Sequence, residues 1–196
     1  MKDAKQILAA MRKKRGYVLP YHRLMAADPE LLAAYDAFYS RMTLASRTLS
    51  DVEKETIWIA LIVATRAKVG TLHFERARKA GMSRKAIADA VEVGAACDTW
   101  DALAFSTSRF KSENRYLKFF KSTRLVHIAA AVAQAGRRQP EAMALHLERA
   151  FRAGAKRAQV AEALTYCLLH CGGPTMVEAV DCWVRTARRK RIPAPF

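Results

Sequence analysis

A histidine followed three residues later by an arginine occurs twice in this sequence: His73 with Arg76 in TLHFERARKAG (71–81), and His146 with Arg149 in ALHLERAFRAG (144–154). On a helix, residues at i and i+3 share a face. Each copy therefore presents an imidazole able to give or take a proton near neutral pH beside a guanidinium able to hold an anion. That combination suits proton transfer on a small anionic molecule. Glu75 with Lys79, and Glu148 with Arg152, are spaced i and i+4 and read as surface ion pairs. A histidine repeated in register is equally what helix packing produces, because duplication copies a core residue as faithfully as a catalytic one.

The repetition extends well beyond the histidine. Residues 72–91 and 145–164 share ten identities in twenty. Both spell a helix, a glycine stop (Gly81, Gly154) and a second helix, the first of them capped by Ser83. An apolar helix precedes each histidine, KETIWIALIVATR and RLVHIAAAVAQAG. These align at an offset of 69 rather than 73, which implies four extra residues around GRRQPEA before His146. Ahead of the repeats, Asp28 is placed to cap a helix that opens on Pro29 and carries Leu31, Leu32, Tyr35, Phe38, Tyr39 and Met42 at helical spacing. Ser50 with Glu53 forms a capping box for the next helix. After the repeats, Gly172 and Gly173 break the chain before a last amphipathic helix from Pro174. The reading is an all-α chain in one compact body: a helical leader over 1–48, a first repeat over 49–110, a second over 111–190, and a tail over 191–196.

Composition sets the outer limits. With 52% hydrophobic residues, 8 Gly and 6 Pro among 196, the chain can bury a core and favours helix over strand. Lys and Arg number 34 against 18 Asp and Glu, a net charge of +16 that attracts anions of any size. No helix-turn-helix, zinc-finger or RNA-binding signature accompanies that charge, so nucleic acid is the weaker partner reading and a small anionic molecule the stronger. Cys97, Cys167, Cys171 and Cys182 show no disulfide framework, the N-terminus has no signal-peptide pattern, and the apolar run IWIALIVA is too short to span a bilayer. A cytoplasmic protein with reduced thiols and no membrane partner is expected. CLLHC (167–171) puts two thiols and His170 on one helical face. No second pair completes four ligands, so these read as buried thiols and no metal is expected.

Three stretches carry a family resemblance: LSDVEKETIWIAL (49–61), LHFERARKAGMSRKAIADAV (72–91) with its copy, and CLLHCGGPTMVEAV (167–180). They are similar to the capped helix, the histidine helix with its glycine turn, and the Tyr-x-Gly-x-Pro turn of the carboxymuconolactone decarboxylase and alkylhydroperoxidase D superfamily, with His170 in the tyrosine position. The resemblance covers roughly residues 16 to 185. It implies an alkylhydroperoxidase D-like helical bundle of two tandem repeats and a homo-oligomer, whether dimer, trimer or hexamer. The peroxidase branch of that superfamily carries Cys-x-x-Cys ahead of its histidine. Here Arg66 and Val69, and in the second copy Gln139 and Ala142, stand in those places, so neither copy has the two thiols that peroxide chemistry needs.

The histidine without the thiols is similar to the decarboxylase branch, which implies a cofactor-free lyase removing carbon dioxide from a small anionic carboxylated ring compound. Glu55 falls on the family's second glutamate and joins His73 and His146 as a candidate catalytic residue, while at the offset of 69 Arg124 replaces it in the second copy. Arg76, Arg149, Trp58 and Arg66 are the candidate substrate contacts, Trp58 as a wall beside Glu55; Trp100 and Trp183 read as core. The alternative reading is a catalytically silent helical scaffold that binds an acidic partner.

Overall fold

The structure, a computed structural model, describes residues 3–110 and 113–196, and its account of side chains also leaves out 69, 71 and 105–114. It is 76% helical, and no strand occurs among the described residues. Backbone contacts divide the chain into two units, Met1–Ala45 and Ser46–Phe196. The sequence-based boundary at 110/111 falls on residues 111 and 112, outside the described residues.

The first unit comprises α1 (Ala4–Arg15), α2 (Pro20–Met25) and α3 (Pro29–Tyr39), which runs into a π-turn at Ser40–Leu44. Asp28 caps α3 as the sequence predicts, its Oδ1 accepting from Glu30 N and Leu31 N at 3.0 Å each. Ile7, Met11 and Leu32 form the small core. Beside it the buried Arg15 is ion-paired with Asp36 and lies 3.8 Å over the Tyr39 ring. Of the apolar residues at helical spacing, Leu32, Tyr39 and Met42 are buried and Leu31 and Phe38 exposed.

The second unit contains α4 (Asp51–Ala64), α5 (Thr71–Lys79), α6 (Arg84–Ala96), α7 (Thr99–Phe110), α8 (Glu113–Leu117), α9 (Arg124–Gly136), α10 (Pro140–Arg152), α11 (Arg157–Cys171) and α12 (Gly173–Lys190). Its centre is the pair α4 and α9, packed on each other; α5 and α6 cover α4, and α10 and α11 cover α9. Every residue from Lys54 to Ile62, and from His127 to Ala135, is buried, as a helix surrounded on all sides requires. Close approach of α6 depends on Gly94, where an added Cβ would sit 2.6 Å from the Ala60 carbonyl oxygen. The predicted Ser50–Glu53 capping box opens α4. Gly81 and Gly154 both take φ +86° to end α5 and α10. No helix among the described residues is long and apolar enough to cross a membrane.

Three buried histidines and the half-buried His170 sit in places that disfavour their charged form. Burial first, and in each case a nearby charge second, lowers His22 and His127 to about 4 and pulls His146 and His170 below the usual imidazole value. These rings stay unprotonated in the folded state where the unfolded chain begins to bind protons, near pH 6.5, so their contribution to stability is constant above about pH 7 and is lost as pH drops from 6.5 towards 4. Urea unfolding should show a loss on the order of 1–2 kcal/mol each for His22 and His127 between pH 7 and pH 5. A midpoint that does not move over that range would contradict these environments.

Candidate acid–base site

Burial all round makes any polar residue on α4 a problem to be solved by a neighbour. Glu55, only 5% exposed, is solved by His73, the third residue of α5: His73 Nδ1 donates to Glu55 Oε2 at 2.8 Å. Trp58, one turn along α4 from Glu55, stacks on the imidazole with centroids 4.6 Å apart and planes 17° off parallel. The carboxylate fixes the ring's tautomer and can neutralise its cation. Nε2, which makes no hydrogen bond among the described residues, is left as the nitrogen that can exchange a proton with a ligand. His73 is 9% exposed, so the dyad lies at the edge of the core.

Further side chains reach this site from α11, more than ninety residues on. Tyr166 also stacks on Trp58 (4.9 Å, 20°), and His170, one turn later, meets the same indole edge-on at 6.0 Å. His170 Nε2 is 2.8 Å from Thr65 Oγ1 at the end of α4. Tyr166 donates at 3.3 Å to the buried Glu162, which also accepts from the backbone N–H groups of Thr48 (2.6 Å) and Leu49 (3.1 Å) and is ion-paired with Arg47. Tyr166, Thr65, Arg47 and Glu162 were not singled out in the sequence, and His170 only within CLLHC and the glycine turn. The one available signal was the i, i+4 spacing of Tyr166 and His170.

The second histidine has a different setting. His146 is fully buried, its Nδ1 3.1 Å from His127 Nδ1 and its Nε2 2.9 Å from the Tyr116 hydroxyl. Gln134 Nε2 continues the chain, donating to Tyr116 Oη at 2.7 Å and to the Cys97 carbonyl at 3.0 Å. Phe120 packs edge-on against the imidazole at 4.5 Å. Both histidines are held neutral by burial. None of these bonds leads to the Glu55–His73 dyad.

Two sequence-based alignments are corrected here. The helix-ending bond Ala67 N to Ile62 O after α4 recurs after α9 as Gln139 N to Gln134 O, with Arg66 and Arg138 in the left-handed conformation just before. These fix the register of the two helices at an offset of 72. His127, not Arg124, therefore corresponds to Glu55; Arg124 opens α9 and pairs with Glu53 at 2.5 Å. The stretch before His146 is longer by one residue, not four. Residues 65–70 link α4 to α5, whereas only 137–139 link α9 to α10, because α10 starts six residues ahead of its histidine and α5 only two.

The candidate cations scatter. Arg76 is partly buried on α5, on the His73 face; Arg149 is exposed on α10, with its charge felt by His127. Arg66 is turned to the surface, where it pairs with Asp98 at 3.3 Å. Glu148 does pair with Arg152, at 2.5 Å, and also with Lys190 at 3.0 Å, but it is itself buried, so the pair is not the surface one that its spacing suggested. Trp58, Trp100 and Trp183 are all buried. Cys167 reaches the Val132 carbonyl at 3.6 Å while its neighbour His170 turns to Thr65, and among the described residues no three His, Cys, Asp or Glu side chains are disposed to hold a metal ion.

Residues 29–109 match the model of the carboxymuconolactone decarboxylase family, a stretch that contains Glu55, Trp58 and His73 and amounts to less than half of the chain. No curated protein and no solved structure matches.

The chain through His146 should behave as a structural network. His146→Ala leaves a cavity beside Phe120 and unpairs His127 and Tyr116, which should cost about 2–4 kcal/mol in urea unfolding. Tyr116→Phe should cost about 1–2 kcal/mol, and the double variant clearly less than the sum, because both changes break one network. Strict additivity would show that the bonds act independently.

Proposed function

We propose that this protein is a cofactor-free acid–base enzyme of the carboxy-lyase type, acting on a small anionic, carboxylated ring compound at Glu55 and His73. The observation that carries the reading is the 2.8 Å bond from His73 Nδ1 to Glu55 Oε2, which orients the imidazole and leaves Nε2 for the substrate. Loss of carbon dioxide leaves its bonding electron pair on the substrate as an enolate or dienolate. His73 delivers the proton from Nε2 to the carbon that takes it up, and Glu55 holds the imidazolium between turnovers. Arg76, on the same helical face as His73, is the cation that would meet a substrate carboxylate. The match of residues 29–109 to the carboxymuconolactone decarboxylase family supports this class, and the sequence places no cysteine at the thiol positions ahead of either histidine. A cytoplasmic homo-oligomer remains part of the proposal.

A second reading has its own observation: the exposed Arg185, Arg188, Arg189, Lys190 and Arg191 at the end of α12, within a net charge of +16, fit an acidic partner. The two readings separate by salt, because binding through released counterions weakens steeply between 50 and 200 mM whereas proton transfer at the Glu55–His73 dyad should not.

Turnover of carboxymuconolactone is the direct assay. His73→Ala and Glu55→Gln should each lower kcat by about 10²- to 10⁴-fold, while His146→Ala should keep the specific activity of its folded fraction. Wild-type turnover by His73→Ala would overturn the assignment.

A further inference from the structure

Trp58 is touched by two imidazoles, and the second is unused by the chemistry above. Trp58 is 3% exposed, yet its indole Nε1–H has no hydrogen-bond partner among the described residues. A buried N–H without an acceptor is costly, and its retention beside the Glu55–His73 dyad points to a ligand that brings the acceptor.

His170 has a tautomer that can be deduced. The Thr65 hydroxyl has one proton, and it goes to the Leu61 carbonyl at 2.8 Å, since a carbonyl can only accept. Thr65 Oγ1 must then accept from His170, so Nε2 of His170 carries the hydrogen and Nδ1 carries the lone pair. His73 is fixed the opposite way, with its hydrogen on Nδ1 facing Glu55. Burial and the neighbouring His73 both favour the neutral form of His170. A proton on His73 therefore disfavours one on His170, which suits His170 to the part of base.

We propose that His170 is the second proton-transfer residue of this site, its Nδ1 acting as base opposite His73 on an enolisable carboxylate whose carbonyl oxygen accepts from Trp58 Nε1. This rests on the acid–base reading of the dyad and adds the substrate class: a carboxylate with an acidic C–H next to a carbonyl or a conjugated lactone. His170 Nδ1 takes the proton from that carbon, and the C–H electron pair moves into the carbonyl to give an enolate. The indole N–H stabilises the enolate oxygen. The electron pair then returns to take a proton from His73 Nε2 at the other end of the conjugated system, so the reaction moves a proton between two carbons of the carboxylate.

The test is solvent deuterium uptake into carboxymuconolactone in D₂O, followed by proton NMR beside turnover. His170→Gln keeps an N–H for Thr65 but has no basic nitrogen; it should lose exchange by about 10²-fold or more with KM little changed. Thr65→Val keeps the base but frees its tautomer and should lose roughly 10-fold in kcat, which gives a reading even if His170→Gln folds poorly. Wild-type exchange by His170→Gln, or by Thr65→Val where that variant alone is folded, overturns the inference. If His73→Ala is inactive while His170→Gln is not, only His170 loses its role. If both retain full activity, the dyad reading falls with it.

Discussion

A helix with neighbours on every side can carry a polar side chain only if another element brings its partner, and in this protein two such helices lie at the centre. On α4 the residue that has to be satisfied is Glu55; at the corresponding place on α9 it is His127. Each is answered by the histidine of the following helix, so the positions of α5 and α10 are tied to hydrogen bonds as well as to apolar packing. Glu55 gives His73 a carboxylate that can neutralise an imidazolium. His127 gives His146 only a neutral acceptor or donor. One residue type at the buried position thus gives two similar helices different partners, a carboxylate for His73 and a neutral imidazole for His146.

The surroundings reinforce that division. His146 is enclosed by Phe120, Tyr116 and His127, and its network ends on Gln134 and the Cys97 carbonyl without meeting solvent. His73 has a stacked Trp58 on one side and keeps some exposure, and its neighbours Thr65, Tyr166 and His170 are arranged around the same indole. In that network both ring nitrogens of His146 are taken up by protein groups, which leaves neither for a ligand. Around the dyad, an imidazole nitrogen and an indole N–H have no hydrogen-bond partner among the described residues, an arrangement that costs stability.

How much of this could be read from the sequence depended on the range of the interaction. Caps and stops are local, so Asp28, Ser50, Ser83, Gly81 and Gly154 could be placed from their immediate neighbours. The His73 helix and its copy were legible because the repetition is almost unbroken there. The pairing partner on the preceding helix was not. Between α4 and α9 few residues are identical, and a gap could be put in several places; only the backbone bonds that end the helices show that the register shifts by one residue. Arg124 stands opposite Glu55 at an offset of 69, whereas the helix-ending bonds set the offset at 72 and put the buried, neutral His127 there.

Long-range convergence was the least legible part. Thr65 and His170 are 105 residues apart, and no local pattern announces that they meet. What brings them together is the packing of α11 against both central helices, assisted by Glu162, whose carboxylate ties Thr48 and Leu49 just ahead of α4 to the face that carries Tyr166. That carboxylate is spent on backbone donors and Arg47 and has no capacity left for a substrate. Glu55 has one hydrogen-bond partner among the described residues, and that partner is a ring with a second nitrogen. Of these two buried carboxylates, Glu55 is therefore the one whose partner has a nitrogen left over, so any exchange of protons with a ligand would run through His73.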